Sequence, residues 1–167
     1  MDPRRRRFEE LCGPLRADLY RFAFWLARDP GVAEDVVQET LLRAWLSLDA
    51  LTDDGAVKPW LLTIARREHA RLYERKRLET VDVDALATAE DPSLARPDDD
   101  GADEVRAAMF ALPEDYREPL VLQVLLGYST DEIARHLGLS NGAVLTRLCR
   151  ARQKLRRVVL GRDGDEP

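Results

Sequence analysis

Apolar residues recur at helical spacing along most of this chain, and the spacing lapses only between residues 79 and 103. The first stripe is Leu11, Leu15, Leu19, Phe22 and Leu26, which predicts a helix over residues 8–28 with Gly13-Pro14 as a point of break or restart. Asp29-Pro30-Gly31 reads as a turn. A second helix is predicted over residues 32–47, with Val36, Val37, Leu41, Ala44, Trp45 and Leu48 inward. Its outer face carries Glu34, Asp35, Gln38, Glu39 and Arg43. The segment TDDG, residues 52–55, is a loop. A third helix is predicted over residues 58–77, with Pro59 in its first turn and an apolar stripe of Trp60, Leu61, Ile64, Ala65 and Leu72. Helical spacing returns over residues 103–111. Leu112-Pro113-Glu114 then opens a helix with Tyr116, Leu120, Val121, Val124 and Leu125 inward, which Gly127-Tyr128 ends.

Residues 129–157 have the organisation of a helix-turn-helix. Ser129 and Glu132 form an S-x-x-E capping box, so a helix starts at Thr130 and buries Ile133, Ala134 and Leu137. Ala134 stands where the two helices cross, and a larger side chain there would push them apart. Gly138 ends the first helix in a left-handed conformation, and Ser140 is the next N-cap. The second helix buries Val144, Leu148, Ala151 and Leu155, leaving Asn141, Leu145, Thr146, Arg147 and Arg150 outward. Residues 140–157 contain six basic residues and no acid. Short polar groups and Arg near the start of such a helix suit base edges, and cations further along suit phosphates. The alternative is an ordinary solvated basic face.

Composition alters this picture in one respect. The chain has 167 residues and a formal net charge of −5, which by itself argues against a nucleic-acid partner. The charge is segregated, however. Residues 58–77 carry seven cations against two acids, residues 29–54 seven acids against Arg43, and residues 79–104 ten acids against Arg96. Basic blocks for DNA beside acidic blocks imply a second, basic partner. The periodicity and the absence of alternating strand patterns make the fold all-α. Two small helical domains are expected, at residues 8–77 and 104–160, joined by an acidic flexible linker at 78–103.

Candidate chemistry is sparse. Cys12 and Cys149 form no C-x-x-C pair, and with His69 and His136 they are too scattered for a metal site, so neither metal nor cofactor is expected. Cys149 reads as a small semi-buried thiol. Two isolated thiols suit a reducing compartment. The basic run at residues 4–7 precedes no apolar segment of a signal peptide, and no apolar run reaches membrane-spanning length, so a cytoplasmic protein is expected. Glu68-His69 is not a metalloprotease motif and no phosphate-cradling glycine loop exists, which disfavours an enzyme.

The segment from Leu112 to Arg156, LPEDYREPLVLQVLLGYSTDEIARHLGLSNGAVLTRLCRARQKLR, resembles the promoter-reading domain of bacterial sigma factors. YRFAFWLARDPGVAEDVVQETLLRAW and KPWLLTIARREHARLYERKR in the first half resemble their other conserved domain, region 2. Both domains in one short chain are similar to the extracytoplasmic-function (ECF) sigma factors. The resemblance implies an alternative-type factor that binds the β′ and β subunits of core RNA polymerase and directs transcription from particular promoters, with no catalysis of its own. It implies docking on a β′ coiled coil through Asp35, Gln38, Glu39 and Thr40. It places minus-ten recognition and melting at Lys58, Trp60, Arg66, Arg67, Arg71 and the loop at 52–57, since unstacked bases need stacking surfaces and backbone phosphates need cations. Trp60 either stacks on a base or joins the core, the commoner fate of a Trp at helical spacing.

The same resemblance assigns minus-thirty-five reading in the major groove to Ser140, Asn141, Thr146, Arg147 and Arg150, with Arg152, Lys154 and Arg156 on phosphates. The acidic linker either threads a basic channel of the polymerase or is a solubilising tether. An anti-sigma factor is a further candidate partner. Arg67, Leu145 and Cys149 depart from the Asn, basic residue and His frequent at these places in relatives. A competing reading is a stand-alone regulator with an N-terminal oligomerisation or sensing domain, which would bind duplex DNA without polymerase.

Overall fold

A computed structural model of the chain describes the backbone of residues 1–79 and 100–160 and the side chains of 1–78 and 104–160. The described residues form helices and turns in two units, one before residues 80–99 and one after them. The first holds α1 (Pro3–Cys12), α2 (Arg16–Ala27), α3 (Pro30–Leu46) and α4 (Val57–Glu79). The second holds α5 (Asp100–Ala111), α6 (Glu114–Val124), α7 (Thr130–Leu137) and α8 (Asn141–Leu160). The acidic linker expected at 78–103 falls mainly on residues 80–99, outside the described residues. At its edges α4 runs on to Glu79, and α5 begins at Asp100, three residues before the expected start.

The helix expected over residues 8–28 is two helices. Gly13-Pro14 tightens into a 3-10 turn, Gly13–Leu15, because the proline lacks an N–H for the α-ladder. α1 starts at Pro3, earlier than the apolar stripe indicated, with Asp2 accepting from the Arg4 amide. The Asp29-Pro30-Gly31 turn is also the start of α3. Asp29 is the N-cap, its carboxylate accepting from the amides of Gly31 and Val32 at 2.8 and 3.1 Å, and Pro30 takes the first helical position. The chain reverses just before it through Arg28, whose φ of 59° is left-handed.

The first core forms where α2 packs on α3 and α4. Leu19, Phe22, Ala23, Phe24 and Leu26 meet Ala33, Val36, Leu41 and Ala44, closed by Leu48, Leu61, Leu62 and Ala65, all buried. Each large apolar side chain so removed from water contributes about 1.5–3 kcal/mol. Inside this unit Glu68 is a buried carboxylate with two cationic partners, Arg43 at 3.1 Å and Arg71 at 3.2 Å. It thereby ties the exposed side of α3 to that of α4.

In the second unit α8 packs against α5, α6 and α7. Leu120, Val121, Leu122, Ile133, Ala134, Val144, Leu148 and Ala151 form its core. Val124, expected inward, is 64% exposed, since it lies in the last turn of α6 where the chain leaves for Gly127. Arg117 is buried instead, and its Nη1 donates to the carbonyls of Leu112 at 2.7 Å and Phe110 at 3.3 Å. That guanidinium satisfies carbonyls left open where α5 ends.

Candidate nucleic-acid interface

Three local devices set the angle at which α8 is presented. The capping box is formed in both directions: the Ser129 hydroxyl accepts from the Glu132 amide at 3.1 Å, and the Glu132 carboxylate accepts from the Ser129 amide. Gly138 ends α7 at φ 66°, a conformation that would strain any residue with a Cβ, and the Leu139 amide closes the turn on the Ala134 carbonyl at 3.0 Å. Ser140 then caps α8 by accepting from the Ala143 amide at 3.1 Å.

The exposed face of α8 runs opposite its buried row. Thr146, Arg150, Gln153 and Arg157 follow one another at spacings of four, three and four, flanked by Gly142, Leu145, Cys149 and Arg156, and all are exposed. Among the residues expected to touch DNA, Thr146, Arg150 and Arg156 share this face, and Ser140 stands at its head. Four others lie toward its edges and meet side chains of α6 or α7. The Asn141 amide donates to Asp131 at 2.6 Å, Arg147 lies 3.7 Å from Asp115, Arg152 donates to Gln123, and the Lys154 ammonium sits 5.2 Å from the centre of the Tyr116 ring. These contacts restrict the long side chains to one side of the helix each. Gln153 and Arg157 are additions that spacing alone could have supplied.

Cys149 is exposed on this face, not semi-buried, because it stands five residues from Val144 and one from Leu148. Cys12 is the buried thiol. Desolvation raises its pKa, against a smaller opposite effect of Arg16, so the thiolate is disfavoured and the residue acts as a packed hydrophobe. Among the described residues no group of His, Cys, Asp and Glu could hold a metal ion.

In the first unit, α3 and α4 present faces of opposite sign. Asp35 and Gln38 are exposed and Glu39 is half-buried. Thr40 corrects the expectation: it is 0% exposed, because Val36, Thr40 and Ala44 form one buried row at four-residue spacing. The outward row instead continues from Asp35 and Gln38 into Leu42 and Leu46, 50% and 68% exposed. An acidic head therefore leads to an apolar tail, and the two leucines were missed because they resemble core residues in a linear reading.

On α4, Arg66 and Arg67 are exposed, and Arg71 is exposed although it is held by Glu68. Lys58 is drawn to Asp18 of α2 at 3.2 Å, so its charge is shared within the bundle. Trp60 is half-buried, while Tyr73, not expected at this surface, is 60% exposed further along the same helix. The loop before α4 holds its own shape: Asp53 accepts from the Gly55 amide at 2.9 Å, and Asp54–Ala56 forms a 3-10 turn.

Comparison with known proteins identifies this pair of units. The Sigma-70 region 2 family matches residues 13–79, and Sigma-70, region 4, matches residues 102–155. The ECF RNA polymerase sigma factor EcfG of Rhodopseudomonas palustris is 35% identical over 140 residues, covering 82% of this chain and 76% of that protein. The probable RNA polymerase sigma factor RfaY of Xanthomonas campestris is 39% identical over 149 residues, covering 84% of this chain but 37% of RfaY. The sigma factor RpoE of Bartonella quintana, solved in complex with the anti-sigma factor NepR, matches with a TM-score of 0.78 and 27% identity over 95% of this chain and 98% of RpoE. No helix among the described residues is long and apolar enough to cross a membrane. The chain belongs to the ECF family of RNA polymerase sigma factors.

Proposed function

We propose a division of labour in which the first unit docks on core polymerase and opens the minus-ten element while the second reads the minus-thirty-five element. The observation that carries this reading is the opposite sign of exposed faces within the first unit: Glu34 and Asp35 on α3, Arg66 and Arg67 on α4. Asp35 and Glu39 supply the charge that steers docking, Gln38 a polar neighbour, and Leu42 and Leu46 apolar area beside them. Complementary charge speeds encounter and fixes register more than it adds affinity. Arg66, Arg67 and Arg71 would follow the backbone of the opened strand, with the loop at 52–57 beside them and Trp60 or Tyr73 as a stacking surface.

In the second unit α8 would enter the major groove, with Thr146 and Arg150 toward base edges and Arg156 and Arg157 on phosphates. Asn141, Arg147, Arg152 and Lys154 would border the groove from positions already held by α6 and α7. Members of this family are initiation factors, so the strand-opening work comes from binding energy and the chemistry belongs to the polymerase. A cytoplasmic location follows from that partner. An anti-sigma factor is a further proposed partner, supported by the likeness to RpoE.

A mobility-shift titration with and without core polymerase tests this reading. Promoter binding by the full chain is expected to be tight only with core enzyme. Tight, sequence-specific binding by the free chain would instead favour the stand-alone regulator. In the same assay Arg150→Ala is expected to weaken binding by about 1–3 kcal/mol, the range of a good base contact. Arg147→Ala should cost less, because Asp115 already shares that guanidinium. Unchanged promoter preference in Arg150→Ala would remove it from base reading.

A further inference from the structure

The basic run at residues 4–7 lies in α1, outside the faces assigned to DNA or polymerase, yet two of its arginines reach the loop that precedes α4. Arg7 donates from Nη2 to the Leu51 carbonyl at 2.7 Å, and from Nη2 and Nε to the Asp54 carboxylate at 2.7 and 3.2 Å. Arg4 donates to the Trp45 carbonyl at 2.7 Å, stands 4.8 Å over the Trp45 ring, and comes within 3.9 Å of Asp49. Phe8 meets the same ring edge-on at 5.4 Å. α1 is thus seated on the end of α3 by an aromatic contact and a cation over it, and its arginines extend from that seat across residues 47–56.

Charge gives this arrangement a purpose. Residues 47–56, SLDALTDDGA, hold three carboxylates and no cation, a poor surface to offer a phosphate backbone. Asp53 accepts from the Gly55 amide, Asp54 has Arg7, and Asp49 has Arg4 nearby. The compensating cations come from more than forty residues away in sequence, as the 47-residue separation of Arg7 and Asp54 shows.

We propose that α1 is a charge clamp on this loop, with Arg7 as its principal positioning residue and Arg4 as its support. By holding and neutralising loop carboxylates, the clamp lets the loop lie against the opened promoter strand. This rests on the proposed assignment of residues 52–57 to that strand. Arg7 itself need not touch DNA; it acts through Asp54 and Leu51.

The test uses the full chain with core polymerase and permanganate footprinting of the opened minus-ten segment. Arg7→Gln is expected to lower the extent of opening about two- to fivefold, the effect of losing a largely exposed ion pair. Co-elution with core enzyme should be unchanged, and Arg7→Lys should recover part of the opening, because it keeps the charge opposite Asp54 but lacks the fork that also reaches the Leu51 carbonyl. Arg4→Gln, at the clamp's other end, should shift opening in the same direction and guards against misfolding of a single variant. Wild-type opening by Arg7→Gln would overturn the clamp, as would equal loss of opening and core binding, or equal defects in Arg7→Gln and Arg7→Lys. If the wild-type chain with core enzyme opens no promoter, the assignment of the loop fails first, which is a distinguishable result.

Discussion

Truncating Leu148 to alanine is expected to destabilise the second unit by about 2–5 kcal/mol, the cost of removing a buried leucine and leaving a cavity. Leu148 is 1% exposed and stands in the buried row of α8 between Val144 and Ala151, both 0% exposed. α8 packs there on α6 and α7, the helices whose side chains also hold the borders of its outer face. A domain of this size has a total stability of only ~5–15 kcal/mol, so the loss takes a large fraction of it. Thermal or denaturant unfolding followed by circular dichroism reads the effect directly. The helix-turn-helix should lose promoter reading with it, because Arg150 is placed by the packing on the opposite side of the same helix. A shift below about 1 kcal/mol would mean that α8 is not seated by this row.

Reversing charge on α3 is expected to have the second large effect. Asp35→Lys with Glu39→Lys puts two cations where a basic surface of the polymerase is proposed to dock. Like charges facing each other across an interface cost several kcal/mol, so affinity for core enzyme should fall roughly a hundredfold or more. Asp35 is exposed and Glu39 half-buried, and neither belongs to the buried row of Val36, Thr40 and Ala44, so helix content should be retained. Fluorescence anisotropy of labelled chain against core polymerase measures it. Wild-type affinity in the double variant would remove the acidic face from docking. Higher salt should narrow the difference between wild type and variant, since exposed charges are screened.

The all-α class was legible from helical spacing, because a row buried at three- and four-residue intervals is what an amphipathic helix requires. The helix-turn-helix was readable to the residue at Ser129, Gly138 and Ser140, since capping is local chemistry and its signals lie beside the helix ends. Spacing failed where a residue tolerates either side of a boundary. Val124 is apolar but sits where α6 ends, and at Thr40 it was the family resemblance that pointed to the docking surface, whereas its four-residue spacing from Val36 and Ala44 puts it in the buried row. At Gly13-Pro14 the sequence marked the break but left open whether the helix resumed.

Residue pairing was not legible, because it depends on elements distant along the chain. Nothing near Arg7 in sequence indicates Asp54, and nothing near Glu68 singles out Arg43 as its partner. The same limit applied to the candidate DNA face. Counting from Val144 gives the outward row, but only tertiary packing reveals that Asn141, Arg147, Arg152 and Lys154 engage α6 or α7. Family resemblance named positions; the packing shows which of them stand on one face.

Run-off transcription is the most direct test of the central claim, that this chain confers promoter specificity on core polymerase. A library of genomic fragments would be transcribed by core enzyme alone, by core enzyme with the full chain, and by core enzyme with the Asp35→Lys, Glu39→Lys variant. The expected result is a small set of discrete transcripts that require the wild-type chain and disappear with the variant. The same transcripts from core enzyme alone, or none with the wild-type chain despite sequence-specific binding of free DNA, would contradict it.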